Sequence, residues 1–342
     1  MRRKLLGAVL LAAVVLGPAQ PALAHGGNGG ASSDYRIEVT GYEGDHSGIE
    51  VRPVELGNRM ELVRTTAKEV EIVGYEGEPY IRLGADGVFE NFNSPSHYTN
   101  LDRFARTPTP PTATATAPPK WVKLNDGNSV RWHDHRTHWM DPTPRQDVRD
   151  NPNVERVIFP ANRVELVVDG KPVVAIVRVT WLPPPSRITW LVVTSLAACA
   201  LLAALVLLPS LRPFAAEFAL VAAIASLIGS GSSKFRITAS AVAAVLVLAG
   251  IAFGSKRPAL RKWLPVVAAV MVVILAVTHF EVFEHQLLAG WAPEVLQRIA
   301  ITVALAFAAA VVGSELVTGL GATTTDESTL LDSSDEPLGV EP

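Results

Sequence analysis

The chain has 342 residues, 49% of them hydrophobic and 18% charged, with a mean hydropathy of +0.26. An ordinary soluble domain carries about 25% charged residues, so the deficit points to membrane segments. A net charge of −3 excludes a nucleic-acid protein driven by a basic surface, and one cysteine excludes an intramolecular disulfide, a Cys-rich zinc site and an iron–sulfur cluster.

The first 24 residues carry the three parts of a secretion signal. Arg2, Arg3 and Lys4 form a basic start, residues 5–16 an apolar run, and Ala22-Leu23-Ala24 a small-x-small cleavage site. The apolar run is too short to span a bilayer as a stop-transfer helix. The mature chain is expected to begin at His25, outside the cytoplasmic membrane.

Residues 25–182 are expected to form an extracytoplasmic all-β sandwich of cupredoxin or immunoglobulin type. Strand-like stretches recur at 35–40, 48–54, 59–64, 70–73, 79–83, 121–124, 129–133, 163–168 and 173–181. Turn signals separate them, Asp169-Gly170 being the strongest. The Thr/Pro-rich run at 107–119 cannot pair as a central strand and reads as an extended loop; 141–153 is a second, Pro- and Asp-rich loop. Residues 183–187, opening with Pro183-Pro184-Pro185, make a stiff spacer.

The chemistry changes at Ile188. Residues 188–208 are an uncharged apolar stretch, long enough to cross a hydrocarbon core of ~30 Å. Four more follow near 214–229, 237–254, 264–283 and 299–320, so residues 188–320 read as a five-helix transmembrane domain. With His25 outside, the loops holding Arg212, Lys256, Arg257, Arg261 and Lys262 are cytoplasmic, while the outer loops carry Lys234, Arg236 and Arg298. That bias follows the positive-inside rule. Residues 321–342 read as an acidic, disordered cytoplasmic tail. The lipid bilayer is the expected surrounding, with other membrane or secreted proteins as potential partners and no nucleic acid.

Histidine supplies the one chemical signal. The run His133-Asp134-His135-Arg136-Thr137-His138-Trp139-Met140 packs three histidines and a methionine into eight positions. On a strand, His133 and His135 share a face, close enough for both imidazoles to reach one metal ion; His138 and Met140 have the opposite parity and need a turn to join them. Imidazole suits copper and zinc, and thioether suits Cu(I). After cleavage, the α-amine and imidazole of His25 could chelate the same metal. His25 with His133 and His135 resembles the histidine-brace copper site in the B subunit of particulate methane and ammonia monooxygenases, where the mature N-terminal histidine joins a His-x-His on a cupredoxin-like domain. The plan is also similar to that of exported bacterial copper-resistance membrane proteins. The resemblance implies copper at His25, His133 and His135, with His138 and Met140 as additional groups. It implies no substrate oxidation: the monooxygenase's other subunits are not in this chain, and its B subunit has two cupredoxin domains and fewer helices.

The membrane half holds further polar groups. His279, Glu281 and His285 fall at the outer end of the fourth helix, where Glu281 and His285 are spaced to face each other. Glu217 and Glu315 lie in apolar stretches near the cytoplasmic ends of helices two and five. Ionisable groups at membrane depth mark function by default, and near an edge they snorkel. No Gly-x-Ser-x-Gly, His-Glu-x-x-His, Cys-x-x-Cys or phosphate loop is present. The reading is a membrane-anchored copper-binding protein rather than an enzyme. A cell-surface interaction module and a transporter working through Glu217 and Glu315 stand as alternatives.

Overall fold

The structure, a computed structural model, describes residues 32–332, with side chains as far as residue 318. The expected leader, His25 and residues 333–342 lie outside the described residues. The chain divides into two compact units at Pro184/Pro185, with residues 285–289 grouped with the first.

The first unit is built from β1 (Ser32–Ser33), β2 (Tyr35–Glu43), β3 (Ile49–Val54), β4 (Arg59–Arg64), β5 (Val70–Val73), β6 (Pro79–Gly84), β7 (Gly87–Asn91), α1 (Pro95–Thr99), β8 (Trp121–Asn125), β9 (Ser129–Trp132), α2 (Gln146–Asp150), β10 (Arg156–Val168), β11 (Lys171–Trp181) and β12 (Leu287–Leu288). Seven strands pair in the order β2-β11-β10-β5-β6-β7-β8 and three in the order β3-β4-β9, every pair antiparallel. The period-2 patterns drive this. Along β3, Ile49 and Val51 are buried while Glu50 and Arg52 are exposed, and along β5 Val70 and Ile72 turn inward. Val51, Met60 and Leu62 of the smaller sheet share one core with Ile72, Leu83, Val164 and Val177 of the larger. Full burial of such a side chain stabilises by roughly 1.5–3 kcal/mol, which closes the two sheets on each other. The β10–β11 hairpin turns through Asp169 (φ 46°) and Gly170 (φ 74°), the positive pair that a two-residue type I′ turn demands.

Several expectations are adjusted. Gly87–Asn91 is a full strand, and β10 starts at Arg156, seven residues before the β-branched run that announces it. Two one-turn helices appear, α1 capped by the Ser94 side chain and α2 inside the 141–153 loop. The 107–119 segment is irregular, as proline requires.

The second unit has α3 (Arg187–Leu207), α4 (Ala215–Gly229), α5 (Lys234–Phe253), α6 (Pro258–Val277) and α7 (Glu294–Asp332). Among the described residues, five helical segments are long and apolar enough to cross a membrane, the second running from Pro209. Their burial is inverted relative to a water-soluble bundle. The interior is rich in alanine (Ala219, Ala222, Ala223, Ala243, Ala268, Ala269, Ala304 and Ala308) with a few valines, whereas Ile188, Leu196, Leu207, Phe235 and Val245 are exposed. Small residues let helix backbones approach closely, and large apolar residues turn outward where the solvent is lipid. The α7 backbone continues to Asp332, past the point where an irregular tail was expected. Extending a formed helix residue by residue is far easier than nucleating one.

Candidate metal centre

β9 ends at Trp132, so His133 and His135 do not ride on one strand as their spacing suggested. Asp134 breaks the strand. It is fully buried, caps the 3-10 turn His135–Thr137 by accepting from the Arg136 amide (3.0 Å), and takes the Trp132 indole N–H (2.9 Å) and the Arg136 guanidinium (2.8 Å). Burial works against its charge, but the Arg136 guanidinium holds the carboxyl below the usual range. That turn also resolves the parity problem of His138. The His133 ring lies 4.9 Å from that of His135, edge on, and 4.5 Å from that of His138, stacked at 13°. Three imidazoles therefore gather, through a turn in place of a strand.

Their nitrogens are not equivalent. His133 Nδ1 donates to the Asn58 carbonyl at 2.8 Å, which leaves Nε2 as the lone-pair nitrogen; that atom is buried and unpartnered. His138 is 5% exposed, and its Nε2 is likewise buried without a partner. His135 Nε2 donates to the Asp102 carbonyl at 3.1 Å, and its backbone N–H donates to the Tyr75 hydroxyl at 2.8 Å. Burial lowers the pKa of all three, that of His138 to about 3, so the rings are neutral at physiological pH. Neutral imidazole is the metal-binding form. Met140 is half-buried and does not line the cavity beside His138.

That cavity measures about 30 Å3 and is lined by His138, Asn58, Glu55, Arg103, Ser32 and Ser33, among others. It has room for a single small occupant. Ser32 is the first described residue and stands seven positions after His25. Among the described residues, no group of three or more His, Cys, Asp or Glu side chains is set to hold a metal ion. The two orphaned Nε2 atoms fit copper or zinc by donor chemistry but do not complete a centre by themselves.

The remaining histidines of this unit have local partners. His46 stacks on Tyr42, His97 Nδ1 meets Glu90 Oε1 at 2.9 Å, and His285 Nδ1 meets Asp34 Oδ2 at 2.8 Å. This corrects the helical pairing expected for Glu281 and His285. α6 ends at Val277, so no i, i+4 register joins them, and Glu281 instead meets Arg236 at 3.4 Å and His279 Nε2 at 3.7 Å. Glu315 pairs with Lys262 at 3.4 Å, while Glu217 is exposed in the first turn of α4; the two carboxyls do not form an interior pair. Cys199 is exposed on α3. Sequence reasoning missed the fixing residues, Asn58, Asp102 and Tyr75, because each acts through a backbone or hydroxyl group on a distant segment.

The chain matches no family model, no curated protein and no solved structure.

Proposed function

We propose that this chain is exported, is anchored by five membrane-crossing helices with its C-terminus in the cytoplasm, and binds copper in its β-rich domain for acquisition, delivery or tolerance. The observation that carries the reading is the pair of buried, unpartnered Nε2 atoms on His133 and His138. An orphaned buried polar atom costs about 1–3 kcal/mol, and a metal ion relieves two such costs at once. His25 supplies the missing donors: leader removal frees an α-amine beside an imidazole, and Ser32 starts the described chain at the cavity that His138 lines. His135 is held by Asp102 through Nε2 and keeps Nδ1 as its own potential donor. Copper bound there would be delivered or stored.

The test uses the full chain, with its leader processed, purified in detergent without chelators. Elemental analysis is expected to give one copper per chain, and one residue inserted before His25 to weaken Cu(II) binding at least tenfold. His133→Ala and His138→Ala should each do the same while leaving the thermal midpoint within a few degrees. Metal-free protein that takes up no copper, or affinity unmoved by the insertion, overturns the proposal. A co-purifying partner with no metal would favour the interaction module instead.

A further inference from the structure

The helical unit holds a basin of about 460 Å3 where the 209–213 and 255–258 connections meet the helix ends. Its lining includes Arg212, Arg261 and Lys262 with a single acid, Glu315. Lys262 is taken up by Glu315 at 3.4 Å. Arg212 is anchored: its Nε and Nη2 donate to the Leu205 and Val206 carbonyls at 3.2 and 2.9 Å, which fixes the guanidinium while leaving Nη1 over. The Arg261 side chain has no hydrogen-bond or ion-pair partner among the described residues. The basin thus carries two positive charges beyond its one ion pair. Pro258, the first residue of α6, also lines it, so a helix of 20 residues aims its positive end at the same space.

We propose that this basin binds a phosphate-bearing anion. A guanidinium presents paired N–H donors that match phosphate oxygens, and Arg212 arrives already oriented. Pro213, Pro265, Val266 and Val311 give the basin apolar lining beside its charges. Basic pockets between transmembrane helices take lipid phosphates in this way. The same chemistry is offered by an anionic phospholipid headgroup and by free inorganic phosphate. The site is remote in sequence from the histidine cluster and does not depend on copper.

Full-length protein is measured in three settings: nanodiscs of phosphatidylglycerol, nanodiscs of phosphatidylcholine, and neutral detergent with inorganic phosphate. A higher thermal midpoint in phosphatidylglycerol than in phosphatidylcholine, lost in Arg261→Gln, identifies a lipid headgroup. A midpoint raised by inorganic phosphate and lost in Arg261→Gln identifies the free ion. In titration, Arg261→Gln is expected to weaken the phosphate partner about five- to tenfold. Arg257→Gln, exposed and outside the basin, separates a built site from general surface charge. If neither phosphate source stabilises the protein, or Arg257→Gln weakens binding as much as Arg261→Gln, the proposal is overturned. Since copper stoichiometry is read on the same samples, failure here is distinct from failure of the metal reading.

Discussion

Asp134 is the residue on which the histidine cluster turns. It ends β9, caps the following 3-10 turn and neutralises Arg136, whose guanidinium also donates to the Val73 carbonyl at 3.2 Å. Arg136→Met leaves a fully buried carboxylate without its cation, and breaking a buried pair from one side costs about 3–5 kcal/mol. Thermal unfolding of the full chain in detergent should register that loss; a change below about 1 kcal/mol would show that the pair is not what fixes the turn. The cluster itself was only half visible from sequence. Spacing brought His133 and His135 together and admitted His138 only through a turn. What spacing leaves out is the Asn58 carbonyl, 75 positions earlier, which selects the lone-pair nitrogen of His133. Tautomer is set by tertiary partners, and a sequence pattern does not carry them.

At the level of elements, the strands richest in β-branched and aliphatic residues were the most legible. Arg59–Arg64 and Val70–Val73 coincide with their expected ranges; Val70–Val73 alternates cleanly against the core, while Arg59–Arg64 buries Glu61 along with Met60 and Leu62. β7 had no strand range of its own in the sequence because its five residues, Gly-Val-Phe-Glu-Asn, alternate poorly and owe their pairing to β6 and β8 on either side. The β10–β11 turn offers a clean test. A Cβ on Gly170 would meet nothing within 4 Å, so Gly170→Ala isolates the cost of a positive φ and should destabilise by about 1 kcal/mol. Gly57 also has a positive φ, and there a Cβ would fall 2.3 Å from Ile37 Cδ1, so Gly57→Ala should cost distinctly more. Equal unfolding midpoints for the two variants would refute this account. The small sheet carries a charge ladder: Glu61 of β4 lies opposite both Arg52 of β3 and Arg131 of β9, with contacts of 2.6 and 2.7 Å. The Arg131 hydrogen bond, with help from Arg52, holds the Glu61 carboxyl below its ordinary value of 4.5. A depressed folded-state pKa contributes stability that is fully present above 4.5 and is lost as pH falls through the lower folded value. The wild type should therefore lose more stability than Glu61→Gln on moving from pH 6 to pH 3. Both arginines are half exposed, so the difference is small and best read as a change in slope.

For the whole molecule, the two halves were separable from composition alone, since a polar, turn-rich stretch gives way to alanine- and leucine-rich segments at Pro183-Pro184-Pro185. Helix count was equally plain, because length and apolarity are properties of the chain and need no partner. The ends were not: α6 stops at Val277, whereas the apolar pattern runs on to Phe283, which closes the 3-10 turn Phe280–Phe283 instead. The proposed orientation rests on charge. Lys256, Arg257, Arg261 and Lys262 cluster in and beside one connection, whereas Arg236, at the opposite end of its helix, is tied to Glu281 and is less available to resist translocation. The lone cysteine makes this testable. In a Cys199→Ser background, Ser232→Cys and Ser255→Cys place one exposed thiol at each end of α5. A membrane-impermeant maleimide added to intact cells should label the residue-232 thiol and should reach the residue-255 thiol only after permeabilisation. The reverse pattern would put the β-rich unit in the cytoplasm, where no signal peptidase frees His25, and would remove the copper reading together with the topology.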